Sequence, residues 1–216
     1  MAFSNLDVQK HRNRRLVIEP FTAGNLTPAG YDLSLGYAIL LSAPDGQIVE
    51  IDYRNYAKFK SDNPKPSAPT IEVPGRSDVL VLTKERVHLS GKVLAQVHAR
   101  AGIAAKGFIL NPLTVDPNFG NAHGRLMLRL FNFSEATAKL AINETIATLV
   151  LHTVETETPE TPLTYTQEIS LSKYRHIAHV QPKVQEYLEF FGTETDEGER
   201  QFADSVRHLG EFRRRS

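Results

Sequence analysis

The feature that most constrains this chain is the way its apolar residues are grouped. From Leu16 onward they fall into short runs rich in β-formers: Tyr37–Ser42, Val79–Thr83, Val93–Val97, Leu126–Phe133 and Ile146–Val154. Gly, Pro, Asn and Asp break the runs, and each run is about strand length. Many short strands at this spacing predict a sandwich or barrel. Between Lys58 and Pro74 the chain carries Pro64, Pro66, Pro69 and Pro74 among polar residues. Proline lacks an N–H and fixes φ, so this segment is predicted to be a surface loop. Thr153–Pro162 reads as a similar connector.

The two ends read differently. Gln9–Arg15 is basic and polar and reads as a solvated arm or edge, and residues 1–15 are expected to form an N-terminal arm. Near the other end, Val184, Tyr187, Leu188 and Phe191 stand at helical spacing, as do Phe202, Val206 and Leu209. Residues 181–216 are therefore expected to form a C-terminal helical extension, ending in a frayed Arg213–Arg215 tail.

Composition excludes several kinds of chemistry. Among 216 residues there is no cysteine, so disulfides, thiolate nucleophiles and cysteine-held zinc are out. The zinc-dependent base deaminases, which need a Cys-x-x-Cys pair, are excluded with them. Lys plus Arg and Asp plus Glu both number 25, so no basic excess favours direct binding of nucleic acid. No segment reaches the roughly 18 apolar residues of a membrane helix. Met1–Lys10 lacks the apolar stretch of a signal peptide, so a cytoplasmic protein is expected.

Four clusters are candidates for chemistry. In Pro28–Gly36 a glycine permits an unusual backbone before Asp32 enters a strand, although a plain turn would read the same way. In Ala99–Phe108, after the Val93–Val97 run, small residues let backbone amides approach an anion between Arg100 and Lys106; a short Ala-rich helix is the competing reading. The spacing is not that of a P-loop. In Thr114–Gly120, Asp116 leaves an apolar run where a carboxylate can serve as general base, or simply form an Asp-Pro turn. On Leu126–Phe133, Leu126, Leu128 and Leu130 face one way and Met127, Arg129, Phe131 and Phe133 the other. An arginine among those neighbours is expected to be paired, or to face a pocket or subunit seam. The eight histidines make no metal-ligand motif, and His176 and His179 read as surface residues.

Taken in order, these clusters resemble the motifs of the dUTPase and dCTP deaminase superfamily. Leu26–Gly36 resembles the early deaminase motif and contains the Ala-Gly-Tyr-Asp-Leu core of dUTPases. Arg100–Phe108 is similar to the dUTPase phosphate motif, and Val115–Phe119 to the motif with the dUTPase catalytic aspartate. Leu130–Phe133 resembles the strand that follows, and Glu144–Leu149 the late Arg-Ile-Ala-Gln-Leu motif. Tyr165 and Lys173-Tyr174 are similar to the deaminase tail that closes over the nucleotide. The resemblance spans roughly residues 16–180. It implies an all-β distorted jelly roll or β-barrel of the dUTPase type, normally a homotrimer, followed here by short C-terminal helices.

The departures bear on activity. The dUTPase serine that contacts phosphate is Ala101, and the two deaminase serines are Ala101 and Gly102. The deaminase arginine is Ala105, the late glutamine is Thr148, and the deaminase catalytic glutamate falls at Arg129. A guanidinium that stays protonated cannot shuttle protons. The glycine-rich dUTPase arm is absent. The resemblance leaves Asp116 as the catalytic candidate, with Arg100, Ala101, Gly102, Lys106, Phe119, Asp32 and Tyr174 as nucleotide-binding candidates and no protein metal site.

Three functions follow as expectations. The first is a deoxynucleotide-binding or regulatory homotrimer with a degenerate site, whose C-terminal extension could dock a protein partner. The second is hydrolysis of dUTP to dUMP and pyrophosphate by a water activated by Asp116, with Mg²⁺ carried by the triphosphate. The third is dCTP deamination.

Overall fold

The computed structural model describes residues 1–41, 49–52, 68–120, 124–159 and 204–206. The elements are α1 (Asn5–His11), β1 (Leu16–Glu19), β2 (Leu26–Thr27), β3 (Gly30–Leu40), β4 (Glu50–Asp52), β5 (Thr70–Val73), β6 (Asp78–Leu89), β7 (Val93–Ala99), α2 (Ala101–Ala105), β8 (Phe108–Leu110), β9 (Leu113–Val115), β10 (Arg125–Asn132), β11 (Ala138–Ala141) and β12 (Thr145–Thr153). Each of the five predicted runs coincides with a strand over most of its described residues, and the fold is mostly β, as expected.

One large sheet runs β8-β10-β6-β3-β12-β7-β9, with β1 added to β6 and β2 and β4 added to β3; β5 and β11 form a separate pair. Every pairing is antiparallel. The sheet curls because its long strands change partners. The first half of β3 pairs with β12 and the second half with β6, with register shifts at Leu35/Tyr37, Thr145/Ala147 and Arg125/Met127. Such irregularities bend a strand and sharpen its twist, which turns a flat sheet into a half-barrel. Gly36 sits at the β3 handover. A Cβ there would lie 2.7 Å from Lys84 Cα, so only glycine lets β6 cross so closely. The inward residues of these strands form one continuous core, including Tyr31, Leu33, Val81, Val97, Leu128 and Leu149.

Two expectations are sharpened. The N-terminal arm begins with a packed helix, while Gln9, Lys10 and Arg12–Arg15 are exposed as read. Ser4 and Asp7 form a reciprocal capping box that starts α1, and Phe3 and Val8 are buried. The Phe3 N–H donates to Leu151 O at 2.8 Å, so the N-terminus extends pairing along β12 where β3 has turned away. Secondly, Thr70–Val73 is a strand within the predicted loop. Pro69 and Pro74 flank it, and Ile71 and Val73 alternate inward, so the prolines bound a short edge strand that needs no donor from them. The first helical run of the C-terminal extension lies outside the described residues, while 204–206 are helical. Among the described residues no helix is long and apolar enough to cross a membrane.

Candidate functional site

The early motif lies on β3. Gly30 has no unusual φ; its lack of a side chain serves packing instead, because a Cβ would lie 2.3 Å from Leu149 O. This close approach draws β3 against β12 and points Asp32 and Ser34 away from the core side taken by Tyr31 and Leu33. Asp32 is 5% exposed and fully engaged: Thr148 Oγ1 donates to Oδ1 at 2.7 Å, and Arg100 Nη1 pairs with Oδ2 at 2.8 Å. Thr148, noted only as a lost glutamine, therefore has a positive role. Asn25 Nδ2 donates to Asp32 O at 3.1 Å.

Glu85, a residue the sequence reading did not single out, completes this end. It is 2% exposed, and its Oε2 accepts the Ser34 N–H at 2.7 Å. The carboxylate stands in for a strand carbonyl where β3 leaves β12 for β6. Burial pushes its carboxyl above the usual range, against the opposing pull of the Ser34 hydrogen bonds. The available signal was a charged Lys84-Glu85-Arg86 triplet inside an apolar strand. Tyr31, beneath Asp32, stacks on Phe21 with centroids 5.3 Å apart and accepts the Thr22 N–H at 2.8 Å.

The phosphate-motif candidates occupy α2, so the short Ala-rich helix is correct as local structure. Arg100 is its N-cap, and Gly107, at φ +88, ends it with a left-handed backbone. Ile103 anchors the helix in the core, while Ala101 and Gly102 face outward and a Cβ on Gly102 would meet nothing within 4 Å. Lys106 is ion-paired with Glu144 and donates to Lys139 O at 3.1 Å. Both cations of the motif are thus matched by carboxylates of their own chain.

Asp116 lies elsewhere. It follows β9, whose Val115 is opposite Ala95, so Asp116 sits near the start of β7 and Arg100 just past its end. Six residues of strand separate these levels, about 20 Å at ~3.3 Å per residue. Asp116 is exposed, and no side-chain hydrogen bond or ion pair holds it among the described residues. Its turn is held by hydrogen bonds and close packing, however. Asn118, at φ 64, donates through Nδ2 to Thr158 O and Pro159 O at 3.2 and 2.9 Å. Gly120 passes where a Cβ would lie 2.0 Å from Val87 O, and Phe119 packs partly against the core.

On β10 the two faces separate as read: Leu126, Leu128 and Leu130 are buried, and Arg129 and Phe131 are exposed. Arg129 is paired with Asp78 through two of its nitrogens. Phe133 is 57% exposed, with the Arg76 guanidinium 4.9 Å from its ring centroid. Tyr165, Lys173, Tyr174, His176 and His179 lie outside the described residues.

Around β7 the candidate residues thus fall into two separate groups: Asp32, Arg100, Thr148, Asn25, Ser34 and Glu85 at one end, and the Asp116 turn at the other. Comparison with known proteins agrees with the fold. The dCTP deaminase-like family matches residues 3–154. A dCTP deaminase of Pyrococcus horikoshii is 28% identical over 149 residues, covering 69% of this chain and 82% of the relative. A dUMP-forming dCTP deaminase of Nanoarchaeum equitans is 29% identical, covering 64% and 76%. The solved dCTP deaminase of Agrobacterium tumefaciens superposes with a TM-score of 0.52 at 11% identity, covering 69% of this chain and 46% of that one. The chain belongs to the dCTP deaminase-like family, within the dUTPase and dCTP deaminase superfamily.

Proposed function

We propose that this protein is a deoxynucleotide-binding or regulatory homotrimer of the cytoplasm whose catalytic positions are degenerate. The observation that carries this reading is the Arg129–Asp78 pair between β10 and β6. By the resemblance, Arg129 takes the place of the deaminase carboxylate. A guanidinium held by its own aspartate is neither a proton shuttle nor a vacant position. Arg100 and Lys106, already tied to Asp32 and Glu144, supply a weaker phosphate grip than unpaired cations would.

Two features support a trimer. Ile109 and Phe131 are exposed directly opposite each other on β8 and β10, with exposed Phe133 beside them, an apolar strip suited to a subunit seam. Also, a site using both Arg100 and Asp116 must span about 20 Å in one chain, a distance that calls for one of the two to come from a neighbouring copy. Among the described residues no three His, Asp or Glu side chains converge. Mg²⁺ would accordingly arrive on triphosphate oxygens, shielding their charge, rather than in a protein cage.

One observation favours a second reading, dUTP hydrolysis: Asp116 is exposed and unengaged among the described residues, so its carboxylate is accessible to a water and substrate. A third, dCTP deamination, is the activity in the relatives' names, and Arg129 and Ala105 oppose it. Incubation with each deoxynucleoside triphosphate and Mg²⁺, reading pyrophosphate and ammonia, separates the three. The proposal expects nucleotide binding by calorimetry with neither product. Pyrophosphate from dUTP selects the second reading and ammonia from dCTP the third. Light scattering is expected to give three times the 24.2 kDa chain mass; a monomer at micromolar concentration would remove the trimer.

A further inference from the structure

Val17 stands apart from the main core. Its neighbours on β1, Leu16 and Ile18, belong to the central cluster, and alternation along a strand turns Val17 to the outer face. It is nevertheless fully buried, against Val206. Two residues further along the same face, Glu19 Oε1 accepts a hydrogen bond from Ser205 Oγ at 2.7 Å. Residues 204–206 are helical, at the centre of the Phe202, Val206, Leu209 spacing seen in the sequence. The family match ends at residue 154, so what covers β1 lies outside the shared domain.

We propose that the outer face of β1 is a docking seat for this chain's own C-terminal extension, held by Val206 on Val17 and by Ser205 on Glu19. The two contacts differ in kind, and that difference gives the seat its specificity. The valine pair removes apolar surface from water but tolerates sliding, whereas the directional hydroxyl–carboxylate bond sets the register. A short helix with an apolar residue next to a hydroxyl fits this seat, and a wholly polar tail does not. The seat is also close to the polar cluster. Beyond Glu19 the chain runs through Phe21, stacked on Tyr31, to Asn25, whose amide reaches Asp32.

The absence of native cysteine makes the test clean. In the full chain, Val17→Cys and Val206→Cys together are expected to oxidise in native buffer to an intramolecular disulfide, seen as faster migration on a non-reducing gel and lost when oxidation is done in denaturing urea. Disulfide-linked dimers or larger species would overturn the assignment to the chain's own tail and give the seat to a neighbouring copy. Absence of any disulfide would overturn the contact itself. Should the double variant fail to fold, Val206→Asp gives an independent reading. Trypsin cleavage after Arg207 should accelerate about tenfold, because cleavage of an opened segment follows its population; an unchanged rate would overturn the proposal.

Discussion

The two ends of β7 treat charge in opposite ways. Around Arg100 each charge is met: Asp32 by Arg100 and Thr148, Lys106 by Glu144, and the Glu85 carboxylate by the Ser34 amide. Around Asp116 the backbone is pinned by Asn118 and Gly120 while the carboxylate is left to solvent. In the first arrangement the Asp32–Arg100 and Lys106–Glu144 ion pairs are closed within the chain. The second leaves a carboxylate, unmatched among the described residues, on a fixed turn. One curled sheet therefore carries a polar cluster whose ion pairs close within the chain and a carboxylate open to solvent, and substitutions at the two ends should have different consequences.

The largest expected effect lies at the open end. Asp116→Asn should lower any dUTP hydrolysis by about 10²- to 10⁴-fold, the usual cost of losing a general base. It should leave the melting temperature unchanged, because no side-chain partner is lost. Steady-state pyrophosphate release and calorimetric melting check both halves, and an unchanged rate would remove Asp116 from the chemistry. At the closed end the pattern should reverse. Asp32→Ala leaves the Thr148 hydroxyl and the Arg100 guanidinium without their acceptor. It should cost about 1–3 kcal/mol of stability, toward the lower figure because Arg100 is partly solvated. Urea denaturation measures this, and no loss would mean that the cluster is not structural.

Ala101→Ser probes whether the closed end still grips an anion. One added hydrogen bond to a charged partner, about 1.5–3 kcal/mol, corresponds to roughly ten- to a hundredfold tighter pyrophosphate binding. Titration calorimetry on both forms reads it, and no heat from either at millimolar ligand would mean that the anion pocket is lost. The smallest effect is expected from Glu85→Gln, which keeps an oxygen for the Ser34 N–H and removes the buried charge. The Glu85 carboxyl is raised by burial, so its contribution to stability is present below the ordinary value of 4.5 and lost as pH rises through the raised value. Gln should therefore be the more stable near neutral pH, with the advantage vanishing in acid. Melting curves across that range test the sign.

Much of the architecture was legible in advance because strand periodicity is local. The five apolar runs became β3, β6, β7, β10 and β12, and the alternation on Leu126–Phe133 placed Arg129 on the outer face. The errors came where long-range packing overrode local polarity. The N-terminal arm starts with a capped helix because Phe3 and Val8 find the core, although Gln9–Arg15 stays largely exposed as read, and the proline-rich loop holds a strand because β11 pairs with it. Gly30 was noted for backbone freedom, but what requires glycine is the approach of Leu149 from more than a hundred residues away.

The candidate site divides in the same way. Its residue types, Asp32, Arg100, Lys106, Asp116 and Arg129, were readable in the sequence, because motif order and chemistry are carried by neighbours along the chain. Which charges meet depended on the curl of the sheet. Asp32 reaches Arg100 and Thr148 because β12 lies between β3 and β7. Asp116 is kept far from Arg100 because antiparallel pairing sends β9 back toward the other end of β7. Pairing order and register join residues distant in sequence, and local pattern specifies neither; they arise when the core closes.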